Sequence, residues 1–209
     1  MRSVLGLVCA ALLCSGCALT TATIDVPYQQ AAAPAAPAAG AAGTSVSVAA
    51  TDSRTTYRDR VSTKKNGYGM EMAAIVPSND LPATVRDAFS QELTARGFKL
   101  GQGGAAMTIE LVRFYNDFKT GFFSGDAVAT VAFNVKITGP GGASVFSKYY
   151  EGSGTEPNIQ LAGGSNARAA LIKAFQTSVA SAVNDPDLIH ALVATGSHGV
   201  ALLAPAATM

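Results

Sequence analysis

Between Ala127 and Ile137 the apolar side chains fall on every second position: Ala127, Ala129, Val131, Phe133, Val135 and Ile137 alternate with Thr130, Asn134 and Lys136. Period two marks a strand with one buried and one wetted face. Shorter runs of the same kind occur at Val46, Val48 and Ala50, and at Met107, Ile109 and Leu111. The β-forming run Val145 to Tyr150 follows Gly139-Pro140-Gly141-Gly142, a turn composition that predicts an antiparallel hairpin. A further strand is expected around Tyr68 to Val76.

Two stretches carry helical spacing instead. Leu81, Val85, Phe89 and Leu93 recur every fourth residue, behind Asn79 or Asp80 as a cap and with Pro82 in the first turn. Gly97 ends that helix, and Phe98 stands where a Schellman stop makes its apolar contact. The second helix is expected from Ser165 through Ala170, Leu171, Phe175, Val179 and Val183 to Asn184, with Pro186 blocking continuation and a short turn over Asp187 to Val193. The predicted order is β-β-α-β-β-β-α: an α+β fold in which an antiparallel sheet carries two main helices on one face.

The front of the chain follows neither pattern. Arg2 precedes an apolar run from Val4 to Leu13, then Ser15 and Gly16, the order of an export signal. Ten or so residues cover about 15 Å as a helix, half of a bilayer core, which is too short to span. All three cysteines, Cys9, Cys14 and Cys17, lie here. Ser15-Gly16-Cys17 resembles the lipobox of bacterial lipoproteins, in which a diacylglycerol-modified cysteine becomes the first residue; the position three upstream, usually Leu, is Cys14. Cys9 follows Val8 and Cys14 follows Leu13, both bulky, whereas Cys17 follows glycine. The expectation is a signal peptide over 1–16, then Cys17 carrying diacylglycerol and an N-acyl chain. The alternative is ordinary cleavage near Ala18, giving an unanchored periplasmic protein. Several acyl chains hold a membrane durably where one does not. By resemblance to proteobacterial sorting rules, Ala18 in place of Asp directs the lipoprotein to the outer membrane, facing the periplasm.

With the first two cysteines removed, the mature chain has no thiol for catalysis, zinc or a disulfide. Its Lys+Arg count drops from 15 by the loss of Arg2, to balance the 14 Asp+Glu, and a neutral chain is poorly suited to nucleic acid. Residues Ala31 to Gly43 are all Ala, Pro or Gly, so 17–43 is expected to be a lipidated, extended spacer holding the domain clear of the lipid. One domain of roughly 150 residues follows over 44–193, and 194–209 is expected to be a disordered tail.

The lipobox, Thr23-Ile24-Asp25, the VSVAATDSR stretch, the helix ending TARGF and the final VNDPDLIHAL together resemble the YajG-type family of bacterial lipoproteins. The resemblance runs from Cys17 to about Leu192. It implies a small exported lipoprotein whose biochemical role is unassigned, with membrane attachment through the anchor.

Candidate chemistry is sparse. His190 and His198 are the only histidines; Asp185, Asp187 and His190 either gather around a metal or, more simply, the two aspartates cap a short helix on which His190 is exposed. No His-Glu-x-x-His or Gly-x-Ser-x-Gly pattern occurs. Gly101 to Gly104 follows a helix and precedes a strand, the reverse of a nucleotide loop, and Gly163 to Arg168 lacks the Lys-Ser/Thr of a phosphate loop, leaving Ser165 as a cap. Glu110 and Glu151 could face each other across paired strands, a spacing of about 5–9 Å suiting glycoside chemistry. Two contact candidates remain. Arg58, Arg60, Lys64 and Lys65 form a basic stretch broken only by Asp59, either a solvated loop or a contact for phosphate-bearing lipid or anionic glycan. Phe114, Tyr115, Phe118, Phe122 and Phe123 crowd one interstrand segment, where Phe122 and Phe123 either meet a partner or lipid or fold back on the core. The expected function is noncatalytic: an anchored binding or envelope-assembly accessory module, in contact with an envelope protein or glycan. The contrasting expectation is an enzyme or carrier acting on envelope glycan or lipid through carboxylates.

Overall fold

A computed structural model describes residues 19–30, 36–121 and 124–202. Its elements are β1 (Ala22–Ile24), a 3-10 turn (Ala41–Gly43), β2 (Ser45–Asp52), β3 (Ser62–Lys65), β4 (Glu71–Pro77), α1 (Leu81–Ala95), β5 (Lys99–Leu100), β6 (Ala105–Thr120), β7 (Gly125–Thr138), β8 (Ser144–Ile159), α2 (Gly164–Val183) and α3 (Pro186–Leu202). The larger sheet is ordered β5-β2-β6-β7-β8 and the smaller β1-β4-β3. The fold is α+β, as the periodicity predicts, with more strands than the alternation reveals.

β7 is the spine. All six of its predicted inward residues are fully buried. Phe133, at its centre, meets Phe89 of α1 edge-on at 5.5 Å and Phe175 of α2 at 6.2 Å, so both helices cover the same face. Asp80 caps α1 by accepting from the Ala83 N–H at 2.9 Å. At its other end Gly97 takes φ 92°, while the Gly97 and Phe98 N–H groups donate to Thr94 and Leu93, the Schellman pattern. α2 begins differently from expectation: its cap is Gly163 with no side-chain bond, and Ser165 lies within the helix.

The contact between α2 and the edge strand β8 depends on missing side chains. A Cβ on Gly152 would sit 2.3 Å from the Ser178 nitrogen, and one on Gly154 2.3 Å from the Ala170 oxygen. Both glycines let the helix backbone lie directly on the strand. β6 solves a different problem. A bulge between Leu111 and Arg113 inserts one residue, so the buried set changes from Met107, Ile109 and Leu111 to Phe114, Asn116 and Phe118. Phe114 and Phe118 thereby become core, while Tyr115 is buried on the opposite face of the sheet.

Three expectations are corrected. The sheet is mixed, because β2 pairs parallel with β6 and β5, and β1 parallel with β4. A parallel pair needs a crossover, and β3, β4, α1 and β5 supply it between β2 and β6. The segment read as a free spacer is instead a strap on the domain. β1 is a sheet strand, Val26 is fully buried, and Tyr28 packs edge-on against Phe175 at 5.2 Å while its hydroxyl donates to Glu92 at 2.6 Å. Further along, the Ala38 N–H donates to the Arg96 carbonyl, Ala41 is buried, and Gly40 lies against Val193. Ile24, Val26 and Tyr28 carry enough apolar surface to repay ordering, whatever the composition of the Ala/Pro run between them and β2.

The third correction concerns the C-terminal side. α3 extends to Leu202, although the sequence suggests a short turn and disorder from residue 194. Leu188 and Leu192 are fully buried, Thr195 nearly so, and Gly196 lets the helix approach Thr44 closely. The apolar stripe thus runs one turn beyond the expected boundary. Residues 203–209 lie outside the described residues.

Candidate functional site

The basic stretch does not form one patch. Arg54, buried beside it, is the organiser: its guanidinium grips both carboxylate oxygens of Asp52, at 2.9 and 2.7 Å, and donates to the carbonyls of Tyr57, Arg58 and Arg60. All five N–H donors are used. The Arg54 guanidinium holds the Asp52 carboxyl below its usual range. Three carbonyls turned inward on one cation explain why Tyr57 takes φ 55° and stacks its ring 4.1 Å from that of Tyr115. In the sequence Arg54 is marked only by an Asp-x-Arg at the end of a strand, too common a pattern to single it out. Arg58 donates to the Asp52 carbonyl and Arg60 pairs with Asp59, whose carboxyl its guanidinium draws down. Lys64 and Lys65 lie beyond, on β3 and not in the expected loop; Ser-Thr-Lys-Lys shows no apolar alternation to announce a strand.

Lys65 ties three chain segments together at one end of the molecule. Its ammonium donates to Asp117 at 2.7 Å and to the Phe118 carbonyl at 3.0 Å, and its backbone bridges to Ala162. Lys119 shares the same carboxylate at 2.6 Å. The two ammonium groups hold the Asp117 carboxyl down although burial alone would raise it. Lys64 donates to the Thr20 carbonyl at 2.8 Å, bringing the N-terminal side of the strap to this end. Here also lie the β3–β4 turn at Asn66 to Met70 and the loop after β8. Phe122 and Phe123, between Gly121 and Ser124, lie outside the described residues, as does Cys17.

The opposite end holds an open cleft of about 530 Å³ between the β7–β8 turn and α3. Pro140, Val145, Phe146 and Ala191 make it mainly apolar, with Asp187 and His190 on its lining. β7, with 14 residues, separates the two ends by about 45 Å. Beneath the cleft Asp185 joins helix to sheet. It accepts the Tyr150 hydroxyl at 2.6 Å and the Lys148 ammonium at 2.7 Å, and its other oxygen caps α3 through the Asp187 N–H at 2.9 Å. Burial pushes the Asp185 carboxyl up, but these donors outweigh it and hold the group below its usual range. Burial, reinforced by the carboxylate, drives the Tyr150 phenol far upward. Asp185, Asp187 and His190 therefore serve as cap, outer charge and cleft wall. Among the described residues no three His, Cys, Asp or Glu side chains gather as a metal site.

Glu110 and Glu151 share the outer face of the sheet with β7 between them: Glu110 pairs with Asn134 and Glu151 with Ala132. Two strand spacings and a two-residue offset put their backbones about 12 Å apart. Glu110 accepts from Lys136 and Glu151 from the Tyr149 hydroxyl, whose phenol is pushed up to about 12 by burial and that bond. This is a flat, solvated arrangement and not a catalytic cleft. No described helix is long and apolar enough to cross a membrane.

A protein of Xanthomonas campestris from the DUF330 family is similar in structure at TM-score 0.53 and 14% identity, over 87% of this chain and 99% of its own; that likeness shows the fold. A Caulobacter crescentus protein described only as a candidate lipoprotein matches at TM-score 0.36 and 12% identity, over 80% of this chain and 96% of its own. No curated protein matches the chain. The family model named Lipoprotein_16, described as uncharacterized lipoprotein, matches residues 31–193. That match takes in the second half of the strap, both sheets from β2 onward and α3 as far as Val193, and the chain belongs to this YajG-type family of lipoproteins.

Proposed function

We propose that the protein is a noncatalytic periplasmic lipoprotein, anchored to the outer membrane through acyl chains on Cys17, that binds a partner or assists envelope assembly. What carries the noncatalytic part is the use made of the ionisable groups. Each described carboxylate held below its usual range already has a cation on it: Asp52 with Arg54 and Asp59 with Arg60 within one loop, and Asp117 with Lys65 and Asp185 with Lys148 between distant segments. A catalytic acid or base needs a pKa moved toward neutrality and an open partner position; these carboxylates are moved away from neutrality and are occupied. The apolar cleft, within the volume range of small-molecule and peptide-segment sites, supports the binding part. The reading of an enzyme acting through Glu110 and Glu151 loses its motivating pair.

Two measurements test this. Cys17→Ala should abolish fatty-acid labelling and move the protein to the soluble periplasmic fraction; unchanged membrane fractionation without label removes the anchor. A photocrosslinker at Val145, on the cleft, should give specific adducts in cells where one at Glu151 gives none. Equal yields at the two positions would sink the cleft as the binding site.

A further inference from the structure

We infer that the end of the domain bearing Leu19, Tyr68, Met70 and Leu161 is a membrane-seating surface, inserted among lipid headgroups beside the anchor; this rests on the assignment of Cys17 as the lipidated residue. The first reason is the length of the leash. Leu19 is two residues from Cys17, a reach of about 7 Å when fully extended. Thr20 is already held by Lys64, and Ala22 pairs with Ile75 of β4. Because the strap is packed, the domain cannot stand off by the length of the Ala/Pro run. The end where Leu19 joins the fold must lie within one headgroup layer of the acyl chains.

The second reason is what that end displays. Among the described residues eight large hydrophobic side chains are exposed, and four of them come here: Tyr68 at 91%, Leu161 at 77%, Leu19 at 65% and Met70 at 58%. They come from three separate stretches of sequence. The Lys65 contacts to Asp117, Phe118 and Ala162 place the β3–β4 turn beside β6 and the loop after β8, while Gly164 packs against Ala22 and Ile24. The register of Gly125 with Ile159 sets the start of β7 close to Leu161.

The third reason is that the most exposed ring stands on a turn whose backbone is held by hydrogen bonds. Asn66 Oδ1 accepts from both the Tyr68 and Met70 N–H groups at 3.0 Å, and the Asn66 N–H donates to the Met70 carbonyl at 3.0 Å. An ordered turn holding a tyrosine fully in water has little to gain from it in solution. At a bilayer the same ring sits with its apolar body in the interface and its hydroxyl in water. Charge adds little: Lys65 and Lys119 share the Asp117 carboxylate, and Lys64 donates to the Thr20 carbonyl. Seating is thus apolar, and it should depend weakly on anionic lipid and on salt.

The chain contains no tryptophan, so a single introduced indole reports its own surroundings. The test uses the full lipidated protein carrying Tyr68→Trp, Leu161→Trp or Tyr149→Trp, mixed with phosphatidylethanolamine vesicles containing brominated acyl chains, with and without phosphatidylglycerol. Flotation and fatty-acid labelling report the anchor separately. Emission from Tyr68→Trp and Leu161→Trp should shift to the blue and fall at least twofold, with or without phosphatidylglycerol, while Tyr149→Trp is unaffected. If the vesicles carry the protein yet all three variants emit alike, the seating surface is overturned and the anchor stands. An indole that is shielded in cells but unquenched on vesicles reassigns the surface to a protein partner. Failure to float or label removes the anchor and the seating with it.

Discussion

The two ends of the β6–β7–β8 ladder handle exposed apolar surface in opposite ways. At the end where the strap begins, Tyr68, Met70 and Leu161 project from turns into solvent, and a shared salt bridge at Asp117 knits the segments beneath them. At the far end the apolar side chains line a recess, and a buried carboxylate, Asp185, fastens helix to sheet below it. A convex apolar rim suits a broad soft surface such as a headgroup layer; a concave one suits a discrete ligand or peptide segment. The contrast also gives the strap a mechanical role, since it is tied near both ends and across the helices between them.

The comparison breaks most completely if the shared scaffold is lost. Gly154→Val should cost upwards of about 3 kcal/mol, because its side chain meets the α2 backbone and no rotamer avoids it. Thermal denaturation should show one transition at much lower temperature, with both ends lost together; a small shift would mean that α2 can slide. Val26→Ala cuts the strap's buried contact and should cost about 2 kcal/mol. Hydrogen exchange should then rise at β1 and β4 first, while the amides around α3 stay protected. Equal acceleration at both ends would show that the strap couples them.

Asp185→Asn should act on the far end, costing about 1 kcal/mol through the weakened acceptor for the buried Tyr150 hydroxyl. The sign of its pH effect follows from the lowered carboxyl. The folded state binds the proton less readily than the unfolded chain, so the stabilisation is complete above about pH 4 and is lost as pH falls through the folded value. Denaturant midpoints measured downward from pH 5 should fall less steeply in Asp185→Asn than in the parent; identical slopes would place the acid sensitivity elsewhere, with Asp52 the next group to replace. The smallest effect belongs to the near end. Tyr68→Ser should change stability by no more than about 0.5 kcal/mol, since the ring touches little. A larger loss would mean that the turn uses the ring for folding.

Where a local pattern carries its own information, the sequence is readable. The alternation in β7, the cap and Schellman stop of α1, and the Gly-Pro-Gly-Gly hairpin all appear where periodicity and turn chemistry put them. β3 escapes because Ser-Thr-Lys-Lys is a strand only through its neighbours: Ser62 bonds the Asn116 carbonyl and Lys65 reaches Asp117. The near-end surface escapes for the same reason, being assembled from residues 19, 68, 70 and 161. The far-end lock is half visible, since Asp185 ahead of Pro186 announces a cap but gives no hint of Tyr150 and Lys148.

The sequence by itself determines the α+β class, the core alternation of β7, the two principal helices and the resemblance that family membership confirms. These depend on spacing along the chain, which short-range geometry converts directly into buried faces. Only the tertiary structure decides that the Ala/Pro-bearing segment is a strap and not a free tether, that β2 runs parallel to β6, and that the basic stretch divides between two regions. Each depends on contacts between residues tens of positions apart, where composition says what a segment can bury and only the assembled core says whether a matching surface exists.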